Sequence, residues 1–112
     1  MLVTTTSTVD GKQVQEYLGV INAQSIIGAN IFKDIFAGLR DVFGGRSKTY
    51  EKVLEQAKED ALRELSEKAQ ALGANGILGV DLDFETIGSG GSMLMVIATG
   101  TSSTHVKALA DE

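Results

Sequence analysis

The stretch GILGVDLDFETIGSGGSMLMVIAT, residues 76–99, decides the fold. In its first half Val80, Leu82 and Phe84 alternate with Asp81, Asp83 and Glu85. Period-two alternation marks a strand with one buried and one wet face, because successive side chains point to opposite sides of the pleat. Gly88-Ser89-Gly90-Gly91 then supplies a flexible hairpin loop. In the second half Met93, Met95 and Ile97 share one face, and Leu94, Val96 and Ala98 share the other. A strand apolar on both faces belongs in the middle of a sheet, covered on each side by helices or by another subunit.

Upstream of this hairpin the apolar spacing changes from two to three and four. Tyr50, Val53, Leu54, Ala57, Ala61, Leu65, Ala69 and Leu72 form one helical stripe. Ser47 or Thr49 can cap this helix and Gly73 can stop it. At 1.5 Å per residue it spans about 37 Å, so it lies across the whole domain. Ala57, Ala61 and Ala69 permit close approach to a sheet. Glu59–Arg63 and Glu64–Lys68 are acid-before-base pairs four residues apart, each worth about 0.2–0.5 kcal/mol. A shorter helix is predicted over Ala29 to Phe43, with a stripe of Ile31, Ile35, Leu39 and Val42 that Phe32, Phe36 and Phe43 widen. Its apolar arc exceeds what one sheet face needs, which points to burial deep in the domain or against a neighbouring subunit.

The N-terminal third is extended. Val3 to Thr8 is rich in β-branched residues, and Asp10-Gly11 is a turn dipeptide. From Gln13 to Ile27, Val14, Glu16, Leu18 and Val20 fall on one face and Tyr17, Gly19, Ile21 and Ala23 on the other. The turn suggests a hairpin between these two segments. The order is therefore β-β-α-α-β-β, an α+β fold with a mostly antiparallel sheet covered by one long helix and one shorter helix. We expect a single domain over residues 1–104 and a short C-terminal tail over 105–112, with His105 on its surface.

Composition narrows the function. The chain has 112 residues, 10 Lys plus Arg against 15 Asp plus Glu, and a formal charge of −5. An acidic domain is a poor match for nucleic acid or an anionic membrane. With no cysteine and one histidine, thiolate chemistry, zinc–thiolate sites and two-histidine mechanisms are excluded within one chain. The longest strongly apolar run, Met93 to Ala98, is too short to span a bilayer. No secretory signal is read at the start. The expectation is a cytoplasmic protein with no membrane partner and no cofactor.

The candidate site residues are few. Asp81, Asp83 and Glu85 share one strand face and form a ladder of hard oxygen ligands suited to Ca²⁺, Mg²⁺ or Mn²⁺. The plainer reading is a solvated strand face. Gly44-Gly45-Arg46-Ser47 before the long helix reads as a capped helix–helix connection, or as an anion cradle. Gly73 to Gly79 reads as a helix cap and tight turn. Ser103 and Thr104 place hydroxyls beside His105, but no third triad member is spaced to support them. Met93 and Met95 read as core, and Tyr17 and Tyr50 as packing residues. No catalytic residue is assigned.

Several separate blocks carry a family resemblance: Glu16-Tyr17-Leu18-Gly19, Gly28-Ala29-Asn30-Ile31-Phe32-Lys33-Asp34, Gly44-Gly45-Arg46-Ser47, Tyr50-Glu51, Gly73-Ala74-Asn75-Gly76-Ile77-Leu78-Gly79-Val80-Asp81, Met93-Leu94 and Gly100-Thr101. In this order and spacing the chain resembles the YbjQ-like family, small bacterial and archaeal proteins described as a "putative heavy-metal-binding domain". The resemblance implies a dodecin-subunit-like α+β fold, assembly into a ring-shaped homopentamer, and no established enzymatic activity. The leading expectation is a non-catalytic, ring-forming homo-oligomer that binds a small ligand, an ion or a partner. The alternatives are a metal-binding module using Asp81, Asp83 and Glu85, and an enzyme with an active site shared between subunits. The charge balance makes one outcome specific: duplex DNA is not retained by the protein at physiological salt, and salt-dependent binding near micromolar in a filter-retention assay would contradict it.

Overall fold

The computed structural model describes residues 1–31 and 48–107. In chain order the elements are β1 (Leu2–Val3), β2 (Lys12–Ile27), α1 (Lys48–Ala71), β3 (Gly76–Ile87) and β4 (Met93–Lys107). Helical backbone also starts at Ala29 to Ile31. The remainder of that expected helix, Phe32 to Phe43, lies outside the described residues, as do the Gly44-Gly45-Arg46-Ser47 turn and the Tyr50 side chain. The fold is α+β, as the alternation and the helical stripe require.

The sheet has four strands in the order β1-β3-β4-β2. β4 is central, as its two apolar faces demand, and it runs antiparallel to both neighbours. The β3–β4 hairpin turns where predicted, with Ile87 opposite Met93 and with Gly88, Gly90 and Gly91 at positive φ. The expected β1–β2 hairpin does not form. β1 instead pairs parallel to β3 at the far edge, with Leu2 opposite Gly76. The backbone after β1 is also spent on β3: Thr4 N–H donates to the Ile77 carbonyl at 3.0 Å, and the Thr4 and Thr6 carbonyls accept from Val80 N–H at 3.0 Å and Gly79 N–H at 2.9 Å. Thr4 Oγ1 and Thr6 Oγ1 lie 2.8 Å apart, and Thr6 Oγ1 donates to the Thr8 carbonyl at 2.7 Å. Such side-chain bonds compete with a strand ladder. Asp10-Gly11 still turns the chain, with Lys12 N–H on the Val9 carbonyl at 3.2 Å. After this turn β2 pairs with β4, the strand that offers apolar surface.

Directly opposed residues share a face. Leu94, Val96 and Ala98 of β4, with Ala23 and Ile27 of β2 and Val80 of β3, therefore make the first face, and all six are buried. α1 lies on it. Ala57, Ala61, Leu65 and Ala69 are buried there, and Val53, Leu54 and Leu62 pack at the margins. Leu72, the last residue of the predicted stripe, is 50% exposed, because the helix ends at Ala71. Gly73 at φ 84° terminates it. Ala74 N–H bonds the Ala69 carbonyl at 3.0 Å and Gly73 N–H the Gln70 carbonyl at 2.9 Å, so two carbonyls that a helix end would orphan are satisfied. The helix ion pairs differ from expectation. Arg63 meets Asp60 at 3.0 Å and Lys58 meets Glu55 at 3.2 Å. Lys68 reaches across to the Asn22 carbonyl on β2 at 2.7 Å, an anchor to the sheet that outcompetes an exposed partner on its own helix.

Three bulges reset the pattern. On β2, Gln15 and Leu18 are extra residues relative to β4, and on β3 two residues, Gly79 and Val80, oppose Gly100. Gly19 and Gly79 take positive φ, 113° and 59°, a conformation costly for any other residue. The buried face of β2 thus moves from Leu18 to Ile21, Ala23 and Ile27, so the single alternation read across Val14–Ala23 breaks at Leu18. β3 also departs from its simple pattern: Val80 is buried, but Phe84 is 48% exposed, since this end of the strand has left the core.

β4 continues through His105 to Lys107, past Thr104, where the sequence places the start of a tail. β2 supplies the partner, with Val14 opposite His105 and Lys12 opposite Lys107. Leu65 has no solvent exposure at the centre of the helix–sheet contact. Leu65→Ala should cost about 2–5 kcal/mol in urea denaturation, against under about 1 kcal/mol for Leu72→Ala.

Candidate functional site

The second face of the sheet carries the carboxylate ladder and His105. Opposing pairs place Asp81 with Thr99, Asp83 with Ile97 and Glu85 with Met95. Across β4 on the same face stand Asn22, Gln24 and Ile26 of β2. The acidic ladder therefore exists as read, along the outer part of β3, and all three carboxylates are exposed. Its members repel one another. A side-chain hydrogen bond with Asp81, then the Asp81 charge, slight desolvation and the Glu85 charge raise the Asp83 carboxyl above its usual value. The three do not converge: among the described residues no group of three or more His, Asp or Glu is arranged to hold a metal ion. Asp81 and Asp83 meet through their side chains, but two carboxylates on one exposed strand face are fewer than the six to eight oxygens a Ca²⁺ site takes.

At the other end of this face lies a cluster that sequence reading missed. His105 is 9% exposed, not a surface residue. Its backbone is clamped by one side chain: Asn75 Nδ2 donates to the His105 carbonyl at 3.0 Å, and His105 N–H donates to Asn75 Oδ1 at 2.8 Å. Asn75 thus extends the β3–β4 ladder with its amide. The imidazole lies over Gly76, where a Cβ would stand 2.7 Å from Nδ1. Ser103 Oγ is 3.4 Å from Nδ1, so the hydroxyl–imidazole proximity imagined from sequence is real. Ser103 has no solvent exposure, so its oxygen is a structural partner and not a nucleophile open to substrate. The signal for this cluster was available in Ala74-Asn75-Gly76, an amide beside a glycine at the start of a strand. Gly73 takes the capping role assigned to it. Met93 and Met95 are half-buried on the second face, and Tyr17 is exposed. Arg46 lies outside the described residues.

Known proteins share this framework. A YbjQ family model described as "Putative heavy-metal-binding" matches residues 1–106. The chain belongs to the YbjQ family. A solved structure from Pediococcus pentosaceus, a protein of unknown function of the DUF74 family, is similar over 93% of this chain and 96% of its own, with a TM-score of 0.62 and 20% identity. That likeness supports the fold.

The ladder gives a pH-dependent outcome. A raised folded-state value means the folded chain holds the Asp83 proton more tightly than the unfolded chain does. Asp83 therefore favours folding at acid pH, and that contribution is lost as pH rises through its folded value. Asp83→Asn should raise the thermal midpoint at pH 7, and the gain should shrink as pH falls through the carboxylate range. A lower midpoint at pH 7 would show that the ladder is not repulsive.

Proposed function

We propose that the chain is a non-catalytic subunit of a closed, self-assembling cytoplasmic ring, five-fold as the family resemblance implies, that holds a small ligand, an ion or a partner. The observation that carries this reading is the second sheet face. α1 covers only the first face, yet the second presents Val20 at 74% and Ile26 at 56% exposure beside half-buried Met93, Met95 and Ile97. The chain's extents of 57 × 27 × 16 Å describe a slab one helix and one sheet thick.

The sheet edges supply the geometry. β2 is an edge strand of 16 residues, and the chain holds no proline to blunt it. The opposite edge is β3 beyond Val80, since β1 and then Thr4 and Thr6 occupy it up to that residue. Two unlike edges favour head-to-tail contact, which closes into a ring when the rotation per subunit allows. The family description favours a second reading, metal binding through Asp81, Asp83 and Glu85. In a ring these ladders repeat about the axis and can converge between subunits.

Light scattering at micromolar concentration should give about five times the 11.8 kDa chain mass. A mass near one chain would end the ring reading. Ile26→Asp should lower the assembled mass. Elemental analysis after dialysis separates the two readings: a stoichiometric metal that survives dialysis, and is lost in Asp83→Asn, supports the second.

A further inference from the structure

Beneath the covered end of the second face is a cavity of about 270 Å³ lined by Leu2, Lys12, Asn75 and His105. Three independent features meet there. The first is an orphan: His105 Nε2 is buried and has no hydrogen-bond partner among the described residues. A buried polar atom left unpaired costs free energy, and native structures retain one where a water, an ion or a ligand completes it. The second is charge. Lys12 lines the cavity and brings an ammonium group to it. Lys12 makes no ion pair among the described residues. In a chain of net charge −5, a lysine at the cavity that holds the only imidazole is a local reversal of sign. The third is construction. Asn75 clamps the His105 backbone, Gly76 makes room for the ring, and the Gln15 bulge lies beside its cross-strand partner Val14. Bulges re-aim side chains near sites.

We propose that this end of the sheet binds a small oxyanion of the inorganic phosphate class, with Lys12 supplying the charge and the His105 imidazole a hydrogen bond from Nε2. The chemistry selects one tautomer. Ser103 Oγ lies 3.4 Å from Nδ1 and 3.5 Å from the Gly76 carbonyl, and its single proton serves one of them; an anion at Nε2 requires the ring proton there, so in the bound form the hydroxyl donates to Nδ1. The cavity is smaller than the usual 300–1,000 Å³ of sites for drug-sized ligands, which fits an oxyanion or the anionic end of a larger molecule. The lining residues all come from one chain, and the site stands apart from the carboxylate ladder.

The single histidine makes the test direct, because one set of imidazole signals reports it. Sodium phosphate is titrated into the intact protein at fixed pH and constant ionic strength, balanced with chloride, and the ring ¹³C and ¹⁵N resonances of His105 are followed. The expected result is a saturable shift with ¹⁵N values of the Nε2–H tautomer, and affinity about tenfold weaker in Lys12→Ala, whose exposed side chain is not needed for folding. Light scattering on the same samples reads assembly separately, so a monomeric result would bear on the ring and not on this site. No saturable shift at tens of millimolar phosphate overturns the proposal, since Nε2 is then completed by water. An unchanged affinity in Lys12→Ala overturns it as well.

Discussion

Strand β4 has a hydrogen-bonded neighbour on each side, and the rest of the molecule is placed by that double pairing. A central strand must satisfy its backbone on both edges and cover its side chains on both faces. β3 and β2 satisfy the edges. On one face Leu94, Val96 and Ala98 require an apolar lid, and the alanines of α1 let a helix approach closely enough to provide it. Fully burying side chains such as Leu65 and Ile77 gains roughly 1.5–3 kcal/mol each, and this gain fixes the helix across the sheet. Among the described residues the other face has no such lid along most of its length, and the apolar stripe of Met93, Met95 and Ile97 is half-buried there.

The elements that were legible in the sequence are those whose side-chain pattern is set by one neighbour throughout. The 24-residue helix and the Gly-rich β3–β4 turn have this property, and both stand as read. β2 does not. Its pattern changes faces part-way because two extra residues are absorbed as bulges, and a pattern with a phase slip has no single period to detect. The threonine run from Val3 to Thr8 has strand propensity throughout, and Thr4 and Thr6 do bond a strand, but it is β3 and not the β2 that the Asp-Gly turn suggested. The end of the fold was hidden for a related reason. His105 is polar and follows a polar run, and nothing in its own neighbourhood announces that Val14, ninety-one residues earlier, will pair with it.

The candidate sites divide along the same line. The carboxylate ladder could be read because alternation alone puts Asp81, Asp83 and Glu85 on one side of one strand. The His105 cluster draws on β1, the turn before β3, β4 and β2, and no local spacing brings four separated segments together. The two lie at opposite ends of one face, one crowded with negative charge and the other lined by the single cation Lys12 among its described residues. A single surface that separates its charges in this way is oriented, so whatever stacks on it or threads past it meets a direction.

The bulges on β2 carry a consequence for how such a chain changes over generations. Gln15 is exposed and has no residue opposite it on β4. Losing it would straighten and untwist the strand locally while leaving every pair above and below it intact. Insertions and deletions are ordinarily tolerated in loops because strands cannot shift by one without turning inside out. Here the register is held by β4, and the surplus residue is a place where length is negotiable inside a strand. Pairwise alignments of relatives should then open single-residue gaps in mid-strand, and scoring that forbids them there would misplace the alternation of everything upstream.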